Sequence, residues 1–377
     1  MRPTVKLWEI VTILNWRAYS QNELLSKWKY PVLRVGNFFT NSNWYYSDLE
    51  LEDDKYCNNW DLLYAWSASF WPKIWEWWKT IYHYHIWKIK LSDKIDKHYL
   101  YHYLYWDSEN IKRNWHWVAM MHVTKWDMEK KEIPLPPLET QKAIVAKLDQ
   151  IFAELDQTKS EIQKNLDNTD ELWKSALNQA FQGDWEMKKL GEVCDKVDNV
   201  KWRDNISYKY IDLTSVDRDY WNIYDTKIIN SKTAPSRAKQ IVKYNDILFW
   251  TTRPTQLRRC IIPIEYDNQI CSTWFCVIRL KKNLIPSYLY FLLETQSFFD
   301  YVEKYQSWAG YPAISDKKLK EFCIPVPPLS EQEKIVEHLD QVSQGVKQLK
   351  SEYQSQLDNL EELKKSVLDK AFTWELE

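Results

Sequence analysis

An internal repeat is the feature that most constrains how this chain folds. Residues 133–183 align without gaps to residues 324–374, and the two segments are identical at about half of their positions. Each copy begins Ile-Pro-x-Pro-Pro-Leu, continues with Gln-x-x-Ile-Val-x-x-Leu-Asp-Gln and closes on Ala-Phe. Weaker similarity precedes both copies, as between residues 6–9 (Lys-Leu-Trp-Glu) and 189–192 (Lys-Leu-Gly-Glu). The repeat predicts two units, each a variable globular part followed by a similar helix.

Each of these helices is predicted to start directly after the proline-rich segment, because proline lacks the amide donor and restricts the residue before it. A mostly apolar seam then recurs at alternating spacings of four and three, from Ile144 to Ala176 and from Ile335 to Val367, with Asn165 and Gln356 as polar members at equivalent sites. Such a sustained period is typical of a coiled coil. The simplest arrangement pairs the two helices as an antiparallel rod with a globular part at each end. The alternative is two amphipathic helices packed on separate cores.

The globular parts are rich in aromatic and β-branched residues. Residues 81–90 and 275–280 predict strands, and residues 94–106 and 285–304 predict short helices. The sequence therefore predicts an α+β fold, in which two strand-rich domains are joined by two long helices forming an antiparallel coiled coil. The predicted boundaries are 1–135 for the first domain, 136–184 for the first helix, 185–326 for the second domain and 327–377 for the second helix.

The composition is unusual in one respect that affects every motif search. The chain contains 5 Gly and 23 Trp, whereas Gly alone ordinarily supplies about 7% of residues. The repeat places Trp8 opposite Gly191 and Trp374 opposite Gly183, and position 374 follows a predicted helix end, where Gly is the usual cap. We hypothesise that many of these Trp are Gly, misread from a reassigned UGA codon; the alternative is a genuinely Trp-rich protein. The tryptophans in ordinary strand or aromatic contexts are Trp66, Trp75 and Trp185.

Charge and cysteine content narrow the class of protein. The net charge is −2 at pH 7, so any nucleic-acid site must be a local patch. No apolar run approaches the ~20 residues of a membrane span, and the start of the chain lacks the apolar core of a signal peptide. The six Cys include no Cys-x-x-Cys pair, which favours reduced thiols and a cytoplasmic location.

Catalytic and metal-binding motifs are missing from the sequence, whether Trp is read as written or as Gly. The P-loop pattern fails because Lys73 occupies a position that requires Gly. His98 and His102 have the spacing of a zinc-protease helix but lack its glutamate. His83 and His85 share one face of a predicted strand, which favours a half-buried pair over a metal site. We therefore predict no catalytic residue and no metal site, and a role in recognition.

The most basic stretch is residues 226–260, which carry eight Lys or Arg against the single acid Asp246. It contains the loop 251–259 directly after a predicted strand at 246–249, and the loop 66–70 is its counterpart in the first unit. Lys and Arg neutralise phosphates, and Arg and Gln also bond to the edges of G and A. The alternative is that this basic stretch is simply a solvated face of the protein. The candidate DNA-binding residues are Trp66, Ser67, Ser69, Lys73, Lys79, Arg237, Thr251, Thr252, Arg253, Gln256, Arg258 and Arg259.

Together these motifs resemble the specificity (S) subunit of Type I restriction–modification systems. The resemblance rests on the duplicated Ile-Pro-Leu-Pro-Pro-Leu-x-x-Gln with its Ala-Phe-x-Gly ending, on Lys-Leu-Gly-Glu-Val, on Trp-Ser-Ala-Ser-Phe at 66–70 and on Thr-Thr-Arg-Pro at 251–254. It implies that each globular part is a target-recognition domain reading one half of a bipartite site in double-stranded DNA. It also implies that the helices fix the spacing and dock two methyltransferase (M) subunits, which restriction/translocase (R) subunits join.

The same resemblance assigns adenine methylation and DNA cleavage to the partner subunits. S-adenosylmethionine, ATP and Mg would then be bound by those partners, and this chain would bind no cofactor. The chain departs from the family pattern in having Trp where the family has Gly, at positions 8, 71, 250, 308 and 374 among others.

Two other functions stay open at this point: a coiled-coil scaffold that binds only protein, and a self-sufficient DNA-modifying enzyme. Selective DNA binding excludes the first, and inactivity of the purified chain excludes the second.

Overall fold

The computed structural model describes residues 4–27, 29–67, 70–114, 124–203, 206–217, 222–307 and 310–373. The chain divides into two compact units, which we call unit 1 (Met1–Ile162 with Ser355–Glu377) and unit 2 (Gln163–Gln354). The division cuts through both long helices. Each unit therefore combines one globular part with segments of both helices, where the sequence predicted separate head and helix domains.

The described residues form mixed helices and strands. The strands are β1 (Thr4–Lys6), β2 (Val11–Leu14), β3 (Tyr30–Leu33), β4 (Tyr45–Ser47), β5 (Tyr56–Cys57), β6 (Leu62–Ala65), β7 (Trp71–Ile74), β8 (Thr80–Tyr82), β9 (Ile86–Leu91), β10 (Glu132–Pro134), β11 (Met187–Lys189), β12 (Ser207–Ile211), β13 (Lys227–Asn230), β14 (Ala238–Ile241), β15 (Ile247–Trp250), β16 (Arg259–Ile261), β17 (Ile270–Ser272), β18 (Phe275–Ile278) and β19 (Cys323–Pro325). The α-helices are α1 (Val35–Thr40), α2 (Lys97–Asn114), α3 (Lys125–Glu129), α4 (Leu138–Ala180), α5 (Pro286–Leu292), α6 (Gln296–Tyr305), α7 (Asp316–Leu319) and α8 (Leu329–Thr373).

The two units share a sheet topology, except that a single bridge between Cys194 and Leu280 in unit 2 takes the place of the β2–β9 pairing of unit 1. In unit 1 the strand orders are β2-β9-β6-β7 and β4-β3-β8-β5, and β3 runs parallel to β8 while the other pairs are antiparallel. In unit 2 the corresponding orders are β16-β15-β18 and β13-β12-β17-β14, and β12 runs parallel to β17. Short strands at the start and end of each globular part also pair, β1 with β10 and β11 with β19. The duplication thus includes the whole unit and is not confined to the helices.

The two long helices begin where the proline-rich segments end, as the sequence predicts. Helix α4 has 43 residues and starts at Leu138, and α8 has 45 residues and starts at Leu329. Each helix buries apolar side chains against a globular part: Leu148 joins the core of unit 1, and Leu339 joins the core of unit 2. The helix faces that carry the repeated sequence are therefore part of both hydrophobic cores.

Two predicted elements differ from the structure. The predicted strand 81–90 is two strands, because β8 ends at Tyr82 and β9 begins at Ile86 in the other sheet. His83 and His85 therefore lie in the turn between two sheets and not on one face of a strand. The predicted helix 285–304 is two helices, α5 and α6, which are separated at residues 293–295. In both cases the apolar residues continue without interruption, so the sequence pattern did not indicate that the chain changes direction.

The glutamine of each repeated motif is fully buried and connects the helix to the globular part. Gln141 donates from Nε2 to the carbonyls of Pro136 (2.8 Å) and Lys94 (3.0 Å) and accepts from the amide of Asp96 (2.7 Å). Gln332 makes the same three bonds in unit 2, to Pro327, Asn283 and Ile285. One side chain thus satisfies backbone groups of the proline-rich lead-in and of the loop that precedes α2 or α5.

We expect Gln332→Ala to lower the free energy of unfolding by about 2 kcal/mol, because it leaves buried backbone donors and acceptors without partners. The matched control is Gln348→Ala on the same helix, whose exposed amide bonds only Glu352 one turn away (2.8 Å). That control should change stability by less than about 0.5 kcal/mol. Urea unfolding of both variants measures the difference, and equal effects would contradict the proposed role of the motif glutamine.

The backbone supports the Gly hypothesis at one tryptophan in particular. Among the tryptophans that the structure describes, Trp60 alone has a positive φ, at 71°, and its side chain is exposed. The equivalent turn before β15 holds Asn245 at φ 69°, and Asn tolerates this conformation far better than Trp. A Cβ added at Gly183 would lie 2.6 Å from the ring of Trp185, so a larger residue there would have to displace that ring. Its counterpart Trp374, like Trp308, lies outside the described residues.

Replacing Trp60 with Gly should raise the free energy of unfolding by about 1 kcal/mol, because a left-handed residue without a Cβ carries no steric penalty. Trp78→Gly is the control, since Trp78 is also exposed but has an ordinary φ. Thermal unfolding of the two variants checks this expectation. A loss of stability in Trp60→Gly would contradict the assignment of position 60 as a Gly position.

Candidate nucleic-acid interface

Three chain segments of unit 1 meet at one end of its two sheets. They follow β3 (residues 34–35), follow β6 (66–67) and form the turn between β8 and β9 (83–85). The amide of Trp66 donates to the carbonyl of His85 (3.1 Å), and the amide of His83 donates to the carbonyl of Leu33 (2.9 Å). These bonds hold the three segments side by side. Residues of the first segment and of the turn between β8 and β9 line an open cleft, which we call cleft 1.

Unit 2 brings the equivalent segments together in the same way. The loop after β15 meets the turn between β17 and β18 through the amide of Thr251, which donates to the carbonyl of Trp274 (3.1 Å). Leu213, which follows β12, lines the same depression, which we call cleft 2. The two clefts overlap in the repeat, since Val35 and His85 of cleft 1 correspond to Leu213 and Trp274 of cleft 2, and the rest of their linings differs. We call residues 251–258, which border cleft 2, the reading loop.

Cleft 1 has a volume of about 400 Å³ and a polar lining that includes Arg34, Asn43, Tyr45, His83 and His85. The Arg34 guanidinium lies 5.4 Å from the centre of the Tyr45 ring. Burial lowers the pKa of His83 to about 4, with His85 and Arg34 acting in the same direction. His83 is therefore neutral at pH 7. Its Nδ1 accepts from the amide of His85 (3.5 Å), which leaves Nε2 as an N–H donor beside a fixed cation.

Cleft 2 has a volume of about 240 Å³ and is lined by Leu213, Thr252, Arg253, Trp274 and Tyr311. Arg253 is exposed and has a left-handed backbone, with φ 51° and ψ 55°. Its amide donates to the carbonyl of Pro312 (2.7 Å), which holds the reading loop against the segment that carries Tyr311. The backbone of this exposed arginine is thus held in a conformation that residues other than Gly rarely adopt. Backbone strain of this kind is often found at functional sites.

Six arginines of the described residues fall into two groups by their partners. Arg17, Arg259 and Arg279 form ion pairs with carboxylates inside their own unit. For Arg34, Arg237 and Arg253 the described residues supply no carboxylate partner, and these three lie at or beside the clefts. The Arg237 guanidinium stacks 3.9 Å above the centre of the Trp274 ring. The clefts therefore present unneutralised guanidinium groups, which suit phosphates and guanine edges.

Several residues predicted from the sequence for the second unit meet at cleft 2. Thr252 and Arg253 line it, and Arg237 reaches it through Trp274. Gln256 is exposed on the same loop. Thr251 is buried, and its hydroxyl donates to the carbonyl of Trp274 (2.8 Å). Thr251 therefore builds the cleft, whereas Arg253 and Gln256 face solvent.

The last two arginines of the predicted group lie elsewhere. Arg258 is half-buried beside Trp250, 5.7 Å from its ring centre, and faces a second depression next to cleft 2. Arg259 differs from the sequence prediction, because its side chain is only 3% exposed and pairs with Glu294. Its guanidinium is used inside the fold and does not face solvent. The basic run misled the prediction here, since charge alone does not show on which side of a strand a residue lies.

The predicted residues of the first unit are mostly engaged within the fold. Trp66 donates from Nε1 to the carbonyl of Tyr84 (2.6 Å), and Ser67 is buried. Lys73 donates to the carbonyl of Phe38 (3.0 Å), and burial lowers its pKa. Lys79 pairs with Asp53 (3.0 Å). Ser69 lies outside the described residues.

The residues of cleft 1 that carry charge and hydrogen-bonding groups were missed by the sequence prediction. Arg34 and Tyr45 flank α1, and His83 and His85 lie in the β8–β9 turn. One feature of the sequence could have indicated Arg34 as a candidate: it directly follows a strand, as residues 251–253 do. It was hidden because position 34 corresponds to Asp212 in unit 2, and His85 corresponds to Trp274.

Metal and membrane sites were also sought in the described part of the chain. There, no group of three or more His, Cys, Asp or Glu is arranged to hold a metal ion. None of the described helices is both long enough and apolar enough to cross a membrane. The six Cys are free thiols, and burial raises the pKa of Cys57, Cys260, Cys271 and Cys276.

A duplicated α+β unit with an arginine-bearing cleft in each copy defines a two-site recognition protein. The chain belongs to the family described as Type I restriction modification DNA specificity domain, whose model matches residues 3–169 and 182–359. It is 22% identical over 402 residues to the Type I restriction enzyme EcoBI specificity subunit of Escherichia coli, covering 97% of this chain and 84% of that one. It is 23% identical over 320 residues to the EcoDI specificity subunit of the same species, covering 73% and 70%.

Solved structures share the fold. A chain from a study titled "Structural basis underlying complex assembly and conformational transition of the type I R-M system" superposes with a TM-score of 0.74 at 20% identity, covering 98% of this chain and 97% of that one. The HsdS subunit of Thermoanaerobacter tengcongensis gives a TM-score of 0.61 at 20% identity, covering 98% and 96%. The resemblance seen in the sequence is confirmed: the chain is a DNA specificity subunit of Type I restriction–modification, and its two domains match a bipartite target.

Proposed function

We propose that cleft 1 and cleft 2 each read one half of a bipartite target in double-stranded DNA. The observation that carries this proposal is the matching place of the two clefts in a duplicated fold, combined with different linings. To read two unlike half-sites of DNA, a duplicated protein needs clefts at equivalent places that carry different side chains. Arg34 in cleft 1 and Arg253 in cleft 2 supply the fork that bonds O6 and N7 of guanine. Arg237, Gln256 and Arg258 add donors for phosphates and bases beside cleft 2.

The chain itself acts without catalysis in this proposal. Adenine methylation and DNA cleavage belong to two methyltransferase subunits and to restriction/translocase subunits, which bind S-adenosylmethionine, ATP and Mg. The support is that the full-length relatives are specificity subunits of multi-subunit restriction enzymes. The assembled complex would work on cellular DNA in the cytoplasm.

The long helices are proposed to pair as an antiparallel coiled coil that docks the methyltransferase subunits. Within unit 1, Lys159 of α4 pairs with Glu361 of α8 (2.6 Å), and the Lys364 ammonium lies 4.9 Å from the ring centre of Phe152. A residue further along α4 thus contacts a residue earlier in α8, as in an antiparallel pair. Within unit 2, Lys350 pairs with Asp170. These contacts support antiparallel pairing over packing on separate cores.

The test is to express the chain with its methyltransferase subunit in a host that lacks adenine methylation. Sequencing of modified bases should reveal one split motif, which disappears when the gene for this chain is left out. Methylation that persists without the chain would contradict the proposal. Binding of the complex to its motif should also weaken steeply with salt, because phosphate contacts release counterions. If the chain binds only proteins and no DNA, that result would instead support a scaffold.

A further inference from the structure

Arg259 fixes the end of the reading loop. Its Nη1 donates to the carbonyl of Leu257 (2.9 Å) and its Nε donates to the carbonyl of Tyr290 (2.6 Å). Leu257 has φ 50°, a left-handed conformation that a β-carbon makes unfavourable. The buried guanidinium therefore holds in place a backbone turn that the loop sequence does not favour by itself.

The same guanidinium is connected to a long helix through two further side chains. Nη2 of Arg259 pairs with Glu294, and the other carboxylate oxygen of Glu294 accepts from Nε1 of Trp173 (2.8 Å). Trp173 belongs to α4, and its ring packs edge-on against Phe291 at 5.8 Å between centres. A continuous series of polar contacts thus runs from the reading loop to α4 within unit 2. Leu257, Glu294 and Trp173 also line one groove of about 380 Å³.

Unit 1 has a weaker contact at the matching positions. Tyr99 and Tyr288 donate to the carbonyls of Pro134 and Pro325 respectively, which aligns α2 with α5 and makes Tyr105 the counterpart of Glu294. The counterpart of Trp173 is Lys364 of α8, whose ammonium lies 5.7 Å from the centre of the Tyr105 ring. A long helix reaches the globular part at this place in both units. Only in unit 2, among the described residues, does an ion pair extend that contact to the loop beside the cleft.

We infer that Arg259, Glu294 and Trp173 are positioning residues for DNA recognition by cleft 2. They hold the reading loop in one conformation against α4, so the base selectivity of unit 2 depends on the state of that helix. A methyltransferase subunit bound along α4 would then alter selectivity at the second half-site without touching DNA there. This inference rests on the proposed function, because it assigns a control to the same cleft.

Amide hydrogen exchange on the full chain tests the contact itself. Glu294→Gln removes the charge, and Trp173→Phe keeps the aromatic packing but removes the indole donor. Both should accelerate exchange in peptides covering 251–258 by about tenfold or more, while peptides of β12 stay unchanged. Glu303→Gln, an exposed residue of α6, is the charge-matched control and should change neither region. Unchanged exchange in the loop for both variants, or equal acceleration in β12, would overturn the inference.

The methylation motif of the assembled complex tests the consequence for recognition. Trp173→Phe, which preserves most of the packing, should make the second half of the motif degenerate while the first half stays as in the wild type. If loop exchange accelerates and the motif is unchanged, the contact exists but does not position the loop for reading, and the inference fails. A wild-type complex that yields no split motif contradicts the proposed function instead, so the two failures are distinguishable.

Discussion

Arg279→Ala should lower the free energy of unfolding by about 3–5 kcal/mol, since it leaves a buried carboxylate without its cation. Asp246 is 2% exposed and accepts from Arg279 at both oxygens, at 3.1 Å to Oδ1 and 2.8 Å to Oδ2. Arg279 also donates to the carbonyl of Ile241 (2.9 Å), so the truncation removes a backbone partner as well. Urea unfolding of the full chain gives the difference.

The pH dependence of this variant has a defined sign. Burial already raises the pKa of Asp246, and Arg279 opposes that rise. Without Arg279 the pKa of the folded state increases further, so the folded chain binds more protons than the unfolded chain above pH ~4. Stability of Arg279→Ala should therefore fall, relative to the wild type, as the pH rises above ~4. Adding Asp246→Asn should recover part of the loss, because a neutral amide is cheaper to bury than an unpaired carboxylate.

The matched control is Arg17→Ala in unit 1. Arg17 also pairs with a carboxylate, that of Glu23, but their side chains are 45% and 24% exposed. Solvent-exposed pairs of this kind contribute less than about 1 kcal/mol. A similar loss in both variants would mean that burial of the pair does not determine its contribution, which would contradict the expectation for Arg279.

The helices were predictable from the sequence and the clefts were not, for a physical reason. The repeated helices carry a local pattern, and proline marks where each one starts, so Leu138 and Leu329 follow from the residues around them. The glutamine in that motif gave no hint of its role. Its three partners come from a loop about 45 residues away and from the lead-in, which only the folded chain brings together.

The clefts are formed by backbone topology and not by a shared sequence. Parallel pairing of β3 with β8 and of β12 with β17 brings distant strand ends together, while Arg34 corresponds to Asp212 and His85 to Trp274. Under the proposed function the two clefts read unlike half-sites and have no reason to share side chains, which accounts for the weak similarity in this part of the repeat. In unit 2 the charge pattern selected the loop that borders cleft 2, where Arg253 lies. Charge also selected Arg259, whose side chain the fold buries.

Arg253→Lys should weaken recognition of one half-site by 10- to 100-fold, which corresponds to about 1–3 kcal/mol for a lost bidentate contact to guanine. Lysine keeps the positive charge, and so the attraction to phosphate, but not the planar fork. The Arg253 side chain is exposed at cleft 2, so its replacement should leave thermal stability nearly unchanged. Binding of the assembled complex to duplexes altered in one half-site at a time measures the effect.

Arg34→Lys is the reciprocal experiment and supplies the control. It should relax the other half-site by a similar factor, since Arg34 lines cleft 1 as Arg253 lines cleft 2. Each variant should leave the half-site of the other unit intact, and the double variant should relax both, because contacts in separate units contribute additively. Relaxation of both half-sites by either single variant would mean that the clefts do not read separate halves. An unchanged motif in Arg253→Lys would remove Arg253 from base recognition and restrict it to phosphate contact.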